Sequence, residues 1–189
     1  MLYSYLDEKL GWLGKCLFWR FGSEEYKSQN IKYKDDEVAV FGDHRPKAKV
    51  HLLVTPLRHI PNIFKCQKQD IDLIRIMAEV GLKIIKEMGH DIKKVKLGFH
   101  KPPFTSVNHL HLHVAVLPIN SAKHEKKHFG NWMISHKKAL EYLETYGSVY
   151  KGWRVGKTDV DQYKWRHRDQ LEIANKYARS KSHKPIKGL

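Results

Sequence analysis

The stretch SVNHLHLHVAVLP, residues 106–118, decides how the rest of the chain is interpreted. It places His109, His111 and His113 at alternate positions, with aliphatic residues between and after them. Alternate residues of a β-strand point to the same face of a sheet. The pattern therefore predicts a strand, ending at the proline, with an aliphatic face toward the core and a histidine face toward a cleft or solvent.

Three histidines on one face are compatible with two kinds of chemistry, metal binding and catalysis at phosphorus. Alternate residues of a strand lie about 7 Å apart, too far for three rings to share one small ion. Two of the rings could bind a metal with a further ligand, such as His51. Imidazole is also a competent nucleophile when its other nitrogen is held by an acceptor. A neighbouring imidazole can then protonate a leaving group or stabilise phosphate charge. The spacing favours catalysis without metal or cofactor, and a chelator would distinguish the two.

The remaining sequence predicts an α+β protein with an antiparallel sheet. Strands are predicted at 36–43, 49–56, 93–100 and 109–118, and helices at 70–90 and 135–147. Asp70 and Gly89 are expected to begin and end the first helix, and a serine and a glycine to bound the second. The apolar side of the second helix is expected to contain Leu140, Leu143 and Tyr146. Strands joined by short loops, with helices between the pairs, are typical of an antiparallel sheet.

The net charge of +15, from 35 basic and 20 acidic residues, favours polyanionic partners. Residues 150–189 contain 11 basic and four acidic residues, so about half of the excess lies there. Trp153, Tyr163 and Trp165 lie among these charges, a mixture that suits single-stranded nucleic acid but is equally compatible with a solvated basic tail. We expect a domain at residues 1–148 and a basic C-terminal extension at 149–189, helical around 159–179.

The sequence contains no run of 18 apolar residues and no signal-peptide pattern at its start, so no membrane span or leader is expected. Cys16 and Cys66 form no CxxC pair, which favours a reducing compartment. The expected location is therefore the cytoplasm, the nucleus or both. The tail RSKSHKPIK either directs the protein to the nucleus or is solvated charge.

Three motifs together resemble the histidine triad (HIT) superfamily of nucleotide hydrolases and transferases. HLHLHVAV looks like its His-φ-His-φ-His-φ-φ motif, and residues 42–60, GDHRPKAKVHLLVTPLRHI, resemble the upstream block of its Hint branch. Residues 97–114, LGFHKPPFTSVNHLHLHV, closely resemble type 3 histidine triad nucleotide-binding proteins, and less closely aprataxin. PKAKVH, residues 46–51, is nearer to aprataxin. The resemblance covers about residues 12–146 and implies a HIT-like fold, with a long helix packed on the sheet.

The resemblance also implies roles for the histidines. His111 matches the nucleophile that attacks the α-phosphate and becomes nucleotidylated. His113 matches the residue that contacts phosphate oxygens. His109, with His51 behind it, matches a relay that positions the nucleophile. His59 is interpreted as a structural hydrogen-bonding residue outside the active site.

Further positions match the nucleotide-binding residues of the family. Asp43 matches the carboxylate that accepts the ribose hydroxyls, and His44 follows where an apolar residue often packs on the base. Lys47 matches a lysine near the bound nucleotide in aprataxin. Ser106 lies where the family has a hydroxyl near the leaving group. For His100, two interpretations stay open: it borders the pocket, or it satisfies loop carbonyls.

The resemblance implies a hydrolase that cleaves adenosine phosphoramidates or related AMP conjugates through a nucleotidyl-histidine intermediate. The alternative is aprataxin-like removal of AMP from adenylated 5′ ends of nucleic acid. A third hypothesis is a scaffold that binds a purine nucleotide without turnover. Hint proteins are generally two-fold dimers and aprataxin-like domains act alone, and the sequence permits both a homodimer and a monomer.

Overall fold

Six strands form one antiparallel sheet in the computed structural model, which describes residues 31–155. The strands are β1 (Ile31–Lys34), β2 (Val38–Gly42), β3 (His51–Pro56), β4 (Val95–His100), β5 (Leu112–Val116) and β6 (Met133–Ser135). Their order across the sheet is β1-β2-β3-β5-β4-β6. The histidine-bearing strand β5 therefore lies between β3 and β4, with two neighbours to hold its register. The expected α+β architecture and HIT-like fold are confirmed.

The two edge strands escaped the sequence analysis because they are short. β1 has four residues and β6 has three, too few for alternation to stand out from the surrounding chain. β6 pairs with β4, so that Gly98 lies opposite Ser135 and His100 opposite Met133.

One face of the sheet is covered by the long helix α1 (Ile71–Glu87), as the sequence predicts. Its buried residues include Ile74, Met77 and Ile85, and burying each such side chain contributes about 1.5–3 kcal/mol. At Gly81, an added Cβ would lie 2.8 Å from a Val114 methyl group, so this glycine lets the helix approach β5 closely. The core therefore lies between α1 and the aliphatic face of the central strands.

The expected helix end is confirmed, and Asp70 occupies the expected N-cap position but without a side-chain capping bond. Gly89 has a φ of +80°, and the N–H groups of Gly89 and His90 donate to the carbonyls of Lys86 and Ile85. This is the pattern of a Schellman motif. The Asp70 side chain makes no capping bond to α1, because its carboxylate accepts from the Gln67 backbone N–H and contacts Arg58.

The other face of the sheet is covered by the 119–132 segment, which the sequence did not predict. It contains α2 (Ala122–Lys126) and a π-helical turn at Lys127–Asn131. Phe129 packs with Ala48, Ala115 and Met133 on the histidine face. Lys96, buried in β4, donates a 2.6 Å hydrogen bond to Glu125 in α2. The histidines therefore lie beneath a layer of chain rather than on an open surface.

Helix α3 (His136–Tyr146) has the expected cap and end. The Ser135 side chain accepts from the Lys138 N–H, and Gly147 has a left-handed φ of +69°. The expected burial of Tyr146 is wrong, since this residue is 39% exposed. The helix instead buries His136, Ala139, Tyr142 and Leu143, because the last turn extends beyond the core.

Helix α4 (Val149–Val155) packs against α3. Val149 is fully buried, and an added Cβ at Gly152 would lie 2.4 Å from the Tyr142 ring. The first seven residues after the expected boundary at 148 therefore pack on the domain. The division itself stays a prediction, since the rest of the extension and the helix expected around 159–179 lie outside the described residues.

Three short 3₁₀ turns complete the description, at Ile63–Lys65, Lys68–Asp70 and Ile92–Lys94. Within residues 31–155, no helix has the length and apolar character needed to cross a membrane. Cys66 is a free thiol, and burial raises its pKa to about 12.

Candidate active site

The predicted alternation holds through the histidine stretch, although the strand begins later than expected. Strand pairing starts at Leu112, so that only His113 of the three lies in the ladder, opposite Leu53 and Gly98. The preceding residues are held by other bonds: the Leu110 N–H donates to the Ile60 carbonyl, and Thr55 donates to the Leu110 carbonyl. Side chains 110, 112 and 114 are buried in the main core, which leaves the histidines on the other face.

His111 is held in the orientation that a nucleophile requires. Its Nδ1 lies 2.7 Å from the backbone carbonyl oxygen of His109. A carbonyl only accepts hydrogen bonds, so Nδ1 carries the proton and the Nε2 lone pair is available for attack. Burial lowers the pKa of His111, which keeps the imidazole neutral and therefore nucleophilic at neutral pH.

His51 and His113 form a second hydrogen-bonded pair whose tautomers follow from the backbone. The Lys47 N–H donates to His51 Nδ1 at 3.2 Å, so His51 carries its proton on Nε2. Nε2 in turn lies 3.0 Å from His113 Nδ1, so a neutral His113 carries its proton on Nε2. His113 Nε2 is buried and has no hydrogen-bond partner among residues 31–155. It is therefore a donor available to a bound oxygen atom.

Burial keeps both members of this pair neutral. The pKa of His51 is lowered to about 4, chiefly by burial; the Asp43 carboxylate opposes this shift, and the positive charge of Lys47 acts in the same direction as burial. Burial also lowers the pKa of His113 well below its usual value, with the neighbouring histidines acting in the same direction.

Asp43 lies at the end of β2, close to the same pair. Its Oδ2 is 3.4 Å from His51 Nδ1 and 4.0 Å from His113 Nδ1. The Arg45 N–H donates to Oδ1 at 2.8 Å and fixes the carboxylate. A half-buried carboxylate beside the histidines is suitably placed to accept hydrogen bonds from hydroxyl groups of a ligand.

The expected pairing of His51 with His109 is wrong. His109 Nε2 donates to the Pro56 carbonyl at 2.8 Å, and its Nδ1 lies 3.3 Å from Nδ1 of His59. His51 contacts His113 instead, because His51 and His113 extend from neighbouring strands β3 and β5. His59, which the sequence analysis left outside the site, is therefore the histidine next to His109. It is the carbonyl of His109, not its ring, that orients His111.

His100 both lies beside the site histidines and binds a loop carbonyl, so each of the two interpretations left open by the sequence applies. Its ring centroid lies 4.2 Å from that of His113, and its Nε2 donates to the His128 carbonyl at 3.1 Å. Burial lowers its pKa to about 4. Phe129 lies near both His51 and His113, with ring centroids 5.4 and 6.4 Å away.

The sequence analysis missed His128, Phe129 and Trp132. A signal was present, since KHEKKHFGNW (123–132) concentrates histidines and aromatic residues without a helical or strand period. A stretch of this kind is unusual for a solvated loop.

The other predicted nucleotide-binding residues surround the histidines less closely. His44 is exposed, with its Nδ1 3.6 Å from Asp43 Oδ1. Lys47 is half-buried, and its charge lowers the pKa of His128, after the larger effect of burial. Ser106 is exposed on the loop between β4 and β5.

Two groups of side chains in the described part of the chain have the geometry to hold a metal ion. One is His100, His111 and His113, and the other is Asp43, His51 and His113, each with ligand atoms within 4.8 Å of one another. Neither group contains all three of His109, His111 and His113, in agreement with the spacing argument. Two of these rings do combine with a ligand from another strand, since the ring centroids of His111 and His113 lie 4.9 Å apart.

Comparison with known proteins agrees with this fold and shows the family of the chain. The family model described as "Scavenger mRNA decapping enzyme C-term binding" matches residues 15–129. The chain belongs to the histidine triad superfamily and is related to its HINT3 and aprataxin members.

Curated relatives span different shares of the chain. The chain is 36% identical over 100 residues to adenosine 5′-monophosphoramidase HINT3 of Xenopus tropicalis, spanning 52% of this chain and 65% of that protein. It is 35% identical over 140 residues to HINT3 of Danio rerio, spanning 73% of this chain and 86% of the relative. Aprataxin of Danio rerio is 30% identical over 123 residues, which is 62% of this chain and 37% of that protein.

Solved structures support the fold. A HIT family hydrolase from Legionella pneumophila matches with a TM-score of 0.52 at 25% identity, over 57% of this chain and 97% of that chain. The aprataxin ortholog Hnt3, solved in complex with DNA, matches with a TM-score of 0.52 at 20% identity, over 84% of this chain and 94% of that chain. The second likeness concerns the fold alone.

Proposed function

We propose that the protein is a nucleotide hydrolase that cleaves adenosine phosphoramidates or related AMP conjugates through a nucleotidyl-His111 intermediate. The observation that carries the proposal is the 2.7 Å bond from His111 Nδ1 to a backbone carbonyl, which leaves the lone pair of the neutral ring on Nε2, the nitrogen that acts as the nucleophile. Similarity to adenosine 5′-monophosphoramidases supports the choice of substrate.

In the first step, His111 Nε2 attacks the α-phosphorus and a P–Nε2 bond forms. The bond from phosphorus to the departing nitrogen breaks, and that nitrogen takes a proton from solvent water, so that a neutral amine leaves. In the second step, water attacks the phosphorus and gives a proton back to the solvent, the P–Nε2 bond breaks, and AMP is released with His111 restored. The His113 Nε2 proton is placed to bind a phosphate oxygen and to stabilise the charge that develops there.

Replacement of the nucleophile tests this proposal. We expect His111→Asn to lower kcat for an AMP-amine conjugate at least about a thousand-fold, as loss of a covalent nucleophile does. Binding of AMP, measured by calorimetry, should be largely kept. His90→Asn is the matched control, since His90 follows the helix on the opposite face of the sheet. Unchanged turnover by the His111 variant would contradict the proposal.

The second candidate function is removal of AMP from adenylated 5′ ends of nucleic acid, with the same chemistry and a phosphate leaving group. Lys47 near His51 and the 11 basic residues at 150–189 favour it. A gel shift with adenylated DNA that weakens with salt and is lost on truncation after Val155, which keeps the packed helix α4, would support it. No shift at low salt would exclude it.

Three further proposals concern the role of the C-terminal extension, the location in the cell and the oligomeric state. The positive charge of residues 149–189 supports contact of this extension with nucleic acid. The two cysteines without a CxxC pair support a reducing compartment, the cytoplasm or the nucleus. A homodimer, as in Hint proteins, is tested by sedimentation of the full chain. Parallel turnover of an AMP-amine conjugate and an adenylated DNA end by one preparation would separate the two candidate functions.

A further inference from the structure

Two aromatic side chains, Phe104 and Trp132, form a stacked pair at the edge of the site. Their ring centroids lie 4.9 Å apart, and the ring planes differ by only 6°. Phe104 is 44% exposed, although its side chain is large and apolar. We name these two residues the aromatic shelf.

The backbone fixes the aromatic shelf. The Lys101 N–H donates to the Trp132 carbonyl at 2.7 Å, and the Phe104 N–H donates to the Lys101 carbonyl at 2.8 Å. The loop after β4 is thereby tied to the residue that precedes β6. The exposed ring is therefore presented by an ordered loop, so that little conformational freedom is lost when a ligand stacks on it.

A series of ring contacts joins the aromatic shelf to the histidines. Trp132 lies 4.7 Å from His128, His128 lies 5.7 Å from His100, and His100 lies 4.2 Å from His113, measured between ring centroids. Since His113 adjoins the proposed nucleophile, the shelf borders the same site.

Sheet order places the shelf on the side opposite Asp43. Asp43 follows β2, and β2 and β3 lie on one side of β5. Phe104 follows β4 and Trp132 precedes β6, and β4 and β6 lie on the other side. An in-line displacement sends the leaving group away from the attacking Nε2 of His111. If the nucleoside lies toward Asp43, as the proposed function has it, the side of the site that contains the shelf is left for the organic substituent of the leaving group.

We propose that the aromatic shelf is a subsite for an aromatic leaving group, such as the arylalkyl amine of an AMP phosphoramidate. The inference rests on the proposed function and adds the class of amine. The exposed face of Phe104 offers a planar apolar surface, while Lys127 Nζ lies 5.8 Å from the Trp132 centroid. The Lys127 ammonium group thus contacts Trp132, and the exposed Phe104 ring is the surface on which an aryl group can stack.

The test compares two conjugates, AMP joined to 2-phenylethylamine and AMP joined to propylamine. We expect the wild-type protein to have the higher kcat/KM for the aryl conjugate. Phe104→Ala should lower this preference about three- to tenfold, the size of an aromatic stacking interaction, and leave turnover of the propyl conjugate unchanged. Phe104→Tyr keeps the ring and should keep the preference.

Tyr146→Ala is the matched control, because Tyr146 is similarly exposed but lies at the end of α3. An unchanged preference in Phe104→Ala, or an equal loss for both conjugates, would overturn the subsite and leave the proposed function standing. Absence of turnover of either conjugate by the wild-type protein would overturn the proposed function, and the subsite with it.

Discussion

At the scale of the residue, backbone groups rather than side chains assign the histidines their tautomers. The carbonyls of His109 and Pro56 each bind a ring N–H, and the N–H of Lys47 binds a ring nitrogen. These groups cannot change protonation state, so the direction in which each lone pair points is fixed by the fold. Burial then keeps the rings neutral.

This neutrality predicts the pH dependence of turnover. Burial lowers the pKa of His111 below the usual histidine value of 6.5, so its imidazole takes up a proton at a lower pH than a free imidazole does. We expect the acidic decline of kcat/KM for an AMP-amine conjugate to have its midpoint below pH 6.5. Initial rates between pH 8 and pH 5 check this, with circular dichroism to confirm folding. A decline centred at 6.5 or above would contradict it.

At the scale of the element, α4 decides where the packed domain ends. Trp153 and Phe64 contact each other with ring centroids 4.9 Å apart, which connects α4 to the 3₁₀ turn before α1. Gly152 faces Tyr142 of α3 without room for a side chain. A glycine within a helix is unfavourable by about 1 kcal/mol relative to alanine, so close packing explains its presence here.

Substitution of this glycine distinguishes tight packing from loose contact. Gly152→Ala should lower the free energy of unfolding by about 1–3 kcal/mol through overpacking against Tyr142, despite the better helix propensity of alanine. Lys151→Ala, at the exposed neighbouring position, should change it little. Urea denaturation of both variants measures the difference. A more stable Gly152→Ala protein would show that α4 packs loosely.

At the scale of the whole molecule, one buried group of neutral histidines couples folding to pH. His51, His100 and His109 have pKa values of about 4, chiefly because of burial. Between pH 6.5 and 4, these side chains take up protons in the unfolded chain and not in the folded one. The unfolded state then binds more protons, so the free energy of unfolding falls as the pH falls.

We therefore expect denaturant unfolding to show lower stability at pH 5 than at pH 7. One histidine of this kind costs about 1.4 kcal/mol per pH unit within that interval. His51→Gln should reduce the slope of the free energy of unfolding against pH by about one proton. Equal stability of the wild-type protein at the two pH values would show that the buried histidines are protonated in the folded state.

The sequence by itself determined the features that repeat along the chain. Alternation placed His109, His111 and His113 opposite an aliphatic face, helical periodicity located α1 and α3, and the motif at 42–60 brought Asp43 and His51 into the site. These inferences succeed because side-chain direction within a strand or helix follows from backbone geometry alone.

Only the tertiary structure decided which groups meet across elements. Strand order set His51 against His113, and the chain after β3 brought His59 to His109. Segment 119–132 placed His128 beside His100 and Trp132 beside His128, and α4 returned to pack on α3. Such contacts depend on strand pairing and on the paths of loops. Neither leaves a period in the sequence, because both are fixed by burial and backbone hydrogen bonds between distant residues.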